Sequence, residues 1–403
     1  MKEIRLKIIL ILKKLPTSLK YMKKMNSNQG QTSSVLEYEG CNFMRLRMML
    51  STLSGRTLRI SNIRSRDTYP GLKEFEANLI RLFDKITNGS KIKVSETGTS
   101  FTYSPGLLIG GKIDHDCSLE RGIGYYLEPL IAIAPFCKNP LNVTLRGITN
   151  NNIDPSPDLL KQSALPVLLK FILVDEGLEI KVEKRGCQPG GGGQVRFQCP
   201  VRKSLRPIQW MDQGKIKRIR GVAWATRVSP AVPNRVIEST KELLLKFIPD
   251  VYIYSDHSTG AKSGKSPGFG LVLTAETNAG TFLSAEVISN PAGQGLEPTV
   301  PEDLGQEGAK QLLEEVYRGG CVDSTVQSLG LLMMALGPRD VSRLVTGPLS
   351  NYTMAFLRHL KDTFNLMFKL ENVENEDDLS IGSDKVKLTC VGVGFTNLSK
   401  RTT

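Results

Sequence analysis

Residues 182–195 read V-E-K-R-G-C-Q-P-G-G-G-G-Q-V, and the four glycines Gly190 to Gly193 behind Pro189 carry the reading of the fold. Consecutive glycines lose more backbone entropy on folding than any other residues, so a chain keeps them inside an apolar segment where side chains do not fit. A linker or a simple hairpin would be the plain explanation. A linker, however, would be flanked by polar sequence. Here Leu178, Ile180 and Val182 lead in and Val195 and Phe197 lead out at the period of two of a β-strand. The run therefore predicts a tight strand-to-strand turn lying close to another backbone or to a bound anion.

Self-similarity organises the rest. One pattern recurs three times: an apolar helix, a strand, a proline-containing loop, a second helix, then two strands. The first copy is predicted at Asn42–Leu53, Thr57–Ile63, Gly71–Thr87, Lys91–Val94 and Ser100–Tyr103. Leu72, Phe75, Leu79, Leu82, Phe83 and Ile86 place an apolar stripe on its second helix. The second copy spans residues 121–198 and the third residues 323–393, and between them strand, helix and three strands predict a smaller unit of their own. The expected fold class is α/β (α+β): three two-helix/sheet units form a large domain over residues 36–200 and 303–398, and residues 201–302 form an inserted small α/β domain.

The stretch Arg185, Gly186, Pro189, Gly191, Gly192, Gly193, Gln194, Val195 resembles the signature of the RNA 3'-terminal phosphate cyclase family. The likeness runs from about Cys41 to Phe395. It is strongest to the eukaryotic cyclase-like branch in T-L-S-G-R (52–56), D-K-I-T-N-G-S (84–90), R-G-I-G-Y-Y-L-E (121–128), G-K-I-K-R-I-R-G (214–221) and G-K-S-P-G-F-G (264–270). The resemblance also implies an inserted domain at the place where chain order puts one.

In the family's enzymes, a histidine attacks ATP, carries AMP and passes it to an RNA 3'-phosphate, which then cyclises. The motif around V-T-G-P-L-S-N-Y-T (345–353) puts Tyr352 at that position. A phenol with a pKa near 10 is a poor replacement for neutral imidazole, so the resemblance implies loss of the cyclase chemistry. Thr325–Leu329 and Tyr38–Asn42 also depart from the cyclase pattern, and a family glutamine falls at Glu128. Arg45, Arg64 and Arg66 match or nearly match arginines that hold phosphates in the family. Guanidinium groups beside a strand–helix turn suit phosphate oxygens, while the plainer alternative is ion pairing.

The formal charge of +13 favours an anionic partner, nucleic acid first. Lys or Arg at 2, 5, 7, 13, 14, 20, 23 and 24 against Glu3 alone makes residues 1–35 a basic extension, expected to be disordered. Ile8–Leu12 is too short to span a bilayer, and no membrane partner is expected. Lys215, Lys217, Arg218 and Arg220, with Lys262 and Lys265, predict an anion- or RNA-binding patch on the inserted domain. S-T-G-A-K-S-G-K-S (258–266) has Thr259 where a P-loop needs glycine, and Pro267 blocks the required helix. Seven cysteines without a C-x-x-C pair read as reduced thiols, and three histidines without metal-ligand spacing predict no metal site. Asp114-His115-Asp116 reads as a solvated turn, because alternate ligands on a strand would face opposite ways.

The reading that results is a cyclase-like protein without catalysis or cofactor. The resemblance implies a nuclear, nucleolar role in small-subunit (18S) pre-rRNA processing. Its implied partners are pre-rRNA, the small nucleolar ribonucleoprotein processome and a ribosome-assembly GTPase. Two alternatives stay open at this point. One is an endoribonuclease using Arg358, His359 and Lys361, where a histidine moves a proton beside two cations. The other is an ATP-dependent RNA 3'-phosphate cyclase with altered chemistry. Glu371–Asp378 reads as a solvated acidic loop.

Overall fold

The computed structural model describes residues 35–373 and 382–399. The predicted basic extension, apart from Val35, and positions 374–378 of the acidic loop lie outside the described residues.

The first unit runs β1 (Val35–Glu39), α1 (Met44–Ser54), β2 (Thr57–Ser61), α2 (Glu74–Ile86), β3 (Thr87–Asn88), β4 (Lys91–Val94), β5 (Phe101–Ser104) and β6 (Leu107–Leu108). Its sheet has the order β1-β2-β5-β4, with β3 and β6 paired separately. The second runs β7 (Gly110–Asp116), α3 (Ile123–Ile133), β8 (Asn139–Gly147), α4 (Pro157–Ile172), β9 (Glu179–Lys184) and β10 (Gly193–Cys199), with the order β7-β8-β10-β9. Next come β11 (Gln209–Trp210), β12 (Ile216–Thr226), α5 (Ala231–Leu244), β13 (Val251–Ser258), β14 (Gly268–Thr277), β15 (Phe282–Ile288) and α6 (Pro301–Arg318). The chain closes with α7 (Gln327–Leu336), β16 (Val341–Thr346), α8 (Asn351–Phe364), β17 (Lys369–Asn372) and β18 (Val386–Val391).

The repeat is therefore longer by one strand than the sequence pattern showed. Each unit opens on a strand, and in the third unit that strand is β11, which pairs in parallel with β16 in the order β11-β16-β18-β17. Residues 209–210 thus belong to the third sheet, before the inserted segment. At its other end, α6 packs on α5 and β15 of the inserted sheet, and Leu304, Ala309 and Leu312 join that second core. The insertion so defined begins after Trp210 and ends near Arg318, which moves both boundaries of the expected 201–302. Both shifts have a physical source: β11 is two residues long and leaves no periodicity to read, whereas α6 carries Pro301 at its first position and Glu302 and Asp303 in its first turn, an ordinary helix start that the reading passed over. The D-H-D turn is also corrected. It ends strand β7, with His115 buried and Asp114 and Asp116 facing Arg146.

The helices explain why three sheets make one body. All ten residues of α7 are buried, and only Glu128 of α3 is not, so both are apolar all round and must lie inside. Helices α1, α3, α4, α7 and α8 contact one another in the middle, and each sheet covers the helices of its unit with one face. The polar ends of these helices form the sites below.

Candidate functional site

The N-terminal turns of α1 and α8 and the second turn of α3, one helix from each unit, meet around Tyr352. Ser350 caps α8 by accepting from Thr353 N, which fixes Tyr352 in the first turn. The Tyr352 hydroxyl donates to Glu128 Oε1 at 2.8 Å and accepts from Arg45 Nε and Nη2 at 3.2 and 3.1 Å. Arg45 closes the triangle on Glu128 Oε2 at 2.7 Å and stacks near the rings of Tyr125 and Tyr352. Burial, reinforced by the Glu128 carboxylate, pushes the Tyr352 phenol well above its ordinary pKa. Tyr352 is thus a neutral, fully engaged hydroxyl, the opposite of a free nucleophile.

Beside this triangle lies Asp154, whose side chain is 1% exposed. It accepts from Gly122 N, the N-cap of α3, at 2.9 Å, from Asn151 Nδ2 at 3.2 Å and from Arg121 Nε at 2.9 Å, with a second contact to Arg121 Nη2. A helix N-terminus beside an arginine is a place for a phosphate. In this chain an internal carboxylate occupies it. Neither Arg121 nor Asp154 was singled out from sequence; the Arg-Gly start of α3 and the Asp-Pro-Ser-Pro start of α4 were the available signals.

The glycine signature has a different job. Arg185 N donates to Lys262 O at 3.0 Å, Lys265 N to Gly191 O at 2.9 Å, and Gly190 N to Ser266 Oγ at 2.8 Å. The turn therefore lies backbone to backbone against residues 262–266 of the inserted domain. A Cβ on Gly186 would stand 2.3 Å from Gly193 N within the turn, and one on Gly264 would stand 2.4 Å from Gly191 O across the contact, so glycine is needed both to close the turn and to seat the inserted domain on it. Arg185, buried over the Trp224 ring, holds Asp158 of α4 at 2.6 Å and Asp256 of β13 at 2.7 Å. Of the two expectations for this turn, another backbone is what lies there.

A model of the family described as RNA 3'-terminal phosphate cyclase matches residues 36–370, the span that carries this signature and both helix-end clusters. The chain belongs to that family. The RNA 3'-terminal phosphate cyclase-like protein of Homo sapiens is 60% identical over 365 residues, 91% of this chain and 97% of the relative. A probable protein of the same name from Drosophila melanogaster is 54% identical, covering 92% and 98%. The rRNA processing protein rcl1 of Schizosaccharomyces pombe is 42% identical over 373 residues, covering 92% of this chain and 99% of its own.

The other residues carried over from the family pattern are dispersed. Arg64 forms a two-pronged ion pair with the buried Glu76, both bonds 2.7 Å, whereas Arg66 is exposed with no ion-pair partner among the described residues. In the inserted domain, Arg218 pairs with Glu276 and Arg220 with Asp250, while Lys215 and Lys217 are exposed. Lys262 sits in the single turn that precedes β14, where a P-loop would require a helix. A cleft of about 950 Å³ between the 151–155 loop, β15 and α6 contains none of the predicted basic residues. Asp154, Glu286, Asp303, Glu307, Glu314 and Glu315 line it against Arg318, so it repels nucleic acid.

The nuclease candidates do not converge. Arg358 and Lys361 face solvent, but His359 is buried, packed edge-on against Tyr38 at 5.1 Å and near Phe43 at 5.7 Å. Neither ring nitrogen has a partner, and burial, then the charges of Arg47 and Arg358, push its pKa down to about 4. His115 is also pushed down to about 4, by burial and then Lys85, with Nε2 donating to Asn78 Oδ1 at 2.8 Å. Both rings are neutral in the fold and charge more readily when unfolded. Stability is then fully present above about pH 6.5 and falls as pH drops from there toward 4, because the unfolded chain binds more protons in that window. Urea midpoints across pH 4 to 8 are expected to fall on the acid side, and the double variant His115→Gln/His359→Phe is expected to flatten that fall.

Proposed function

We propose that this chain acts in rRNA processing as a cyclase-like protein that has no cyclase chemistry of its own. The observation that carries the reading is the locked Tyr352 hydroxyl: the residue that the family motif aligns with the nucleophile is partly buried, neutral and held by Arg45 and Glu128. Asp154 filling the α3 N-terminus supports it, since a nucleotide phosphate placed there would have to displace a buried carboxylate. The S. pombe relative, named as an rRNA processing protein, supports the biological role. The finer assignment is to small-subunit (18S) pre-rRNA, in the nucleolus, within the processome and beside a ribosome-assembly GTPase. It rests on the resemblance and on a net charge of +13.

The endonuclease alternative finds little support in the geometry, because His359 points inward while Arg358 and Lys361 point out. Depleting the chain from cells is expected to lower 18S rRNA and accumulate its precursors. Re-expression of either wild type or Tyr352→Phe is expected to restore processing, since Arg45 and Glu128 still pair directly without the hydroxyl. Normal 18S levels in depleted cells, or a folded Tyr352→Phe protein that fails to rescue, would count against the proposal.

A further inference from the structure

The inserted sheet has the order β13-β12-β14-β15, and its two faces are treated unequally. One face packs on α5 and α6. On the other, α4 covers β14 and β15, with Thr274 hydrogen-bonded to Gln162, and leaves the β13 side open. Along that open side, residues 252, 254, 256 and 258 of the edge strand β13 form one row, since alternate residues share a face. Tyr252 and Tyr254 are 51% and 55% exposed, with ring centroids 4.5 Å apart. Arg220 lies beside Tyr252 in the parallel register and pairs with Asp250, so a cation flanks the rings.

About 20 Å further along the strand, from six rises of about 3.3 Å, the row ends at Ser258. There Asp256 and Ser258 line a pocket of about 390 Å³ together with Lys181, Lys184 and Lys262. The other charges of the pocket are already satisfied: Arg185 pairs with Asp256, and Glu183 accepts from Gln194 at 2.6 Å. None of the three lysines has an ion-pair partner among the described residues. Two exposed aromatic rings, set edge to face at 75° so that each keeps an outer face free of the other, lead into a pocket of lysines without ion-pair partners among the described residues, an arrangement suited to a strand that carries bases and phosphates alternately. A protein partner would favour a packed apolar centre, whereas beside the two rings stand the single partly buried Val222 and the charged Arg220 and Asp250.

We propose that this row binds single-stranded RNA, with bases stacked on Tyr252 and Tyr254 and the backbone phosphates led into the Lys181–Lys184–Lys262 pocket. The inference deepens the rRNA-processing reading and rests on it for the class of ligand. Lys262 was expected to face RNA from sequence; the two tyrosines, Lys181 and Lys184 were not.

Full-length protein titrated into a fluorescently labelled, unstructured RNA and read by anisotropy tests the proposal. Tyr252→Ala/Tyr254→Ala is expected to weaken binding by at least about tenfold, whereas Tyr252→Phe/Tyr254→Phe keeps it, because the ring and not the hydroxyl stacks. Lys181→Ala/Lys184→Ala/Lys262→Ala is expected to flatten the dependence of log K on log salt by about two. All the substituted side chains lie at the surface or in an open pocket, and thermal melts check that each variant folds. Wild-type affinity in the alanine pair, equal loss in the phenylalanine pair, or no preference of the wild type for single-stranded over duplex RNA would each overturn the inference. So would a tyrosine effect confined to capture of a protein partner. An alanine pair that binds RNA normally, in a chain that still supports 18S production, sinks this inference alone. A chain that is dispensable for 18S production but shows the tyrosine effect sinks the processing reading alone.

Discussion

Replacing Arg185 with alanine is expected to destabilise the protein by roughly 3–5 kcal/mol, the cost of removing one partner from a buried ion-pair network. Two carboxylates from different parts of the fold lose their cation at once: Asp158 on α4 and Asp256 on β13. Trp224 loses the guanidinium that covers it. The same side chain joins the second unit to the inserted domain, so protease sensitivity within residues 258–266 should rise along with the loss of stability. Asp256→Asn is the milder control, because that carboxylate is 45% exposed and water takes over part of its role. Urea unfolding of the three proteins measures the difference. Equal midpoints for Arg185→Ala and wild type would mean that the signature arginine does not join the two domains.

The second large effect is expected at Asp154. Asp154→Ala leaves Arg121, Gly122 N and the flank of Arg45 facing an emptied site, again a loss of roughly 3–5 kcal/mol. Unlike Arg185, this loss should be recoverable from solution. The vacated place joins a helix N-terminus to an arginine, so inorganic phosphate is expected to bind the variant and raise its melting temperature with concentration, as any ligand selective for the native state does. Wild type, with its own carboxylate in place, should respond much less. Equal phosphate responses in the two proteins would contradict the assignment of Asp154 as the internal occupant of an anion site.

What the sequence revealed and what it hid follow from the range of the interactions involved. Lys91–Val94 was located to the residue, because a strand flanked by turns announces itself locally. The first strand of each repeat was missed; β11 has two residues and exists only by pairing with β16, more than 130 positions later. The signature turn was correctly placed near another backbone, since glycine reports steric exclusion. Which backbone it meets depends on residues 262–266 in another domain. The arginines show the same limit: residue type and family pattern picked out Arg45 and Arg64, but the Glu128 and Glu76 carboxylates that hold them come from helices α3 and α2. Periodicity cannot show which arginine is already paired. His359 was read by its place beside Arg358 and Lys361, whereas its chemistry is set by the Tyr38 and Phe43 rings that bury it.

The central proposal is that Tyr352, which the resemblance aligns with the family's nucleophile, cannot take up AMP. Purified protein incubated with labelled ATP and an RNA ending in a 3'-phosphate, beside an active cyclase, tests it most directly. Neither labelled AMP bound covalently to the protein nor a cyclic phosphate on the RNA is expected, for wild type and for Tyr352→Phe alike. Either product from the wild-type chain would contradict it.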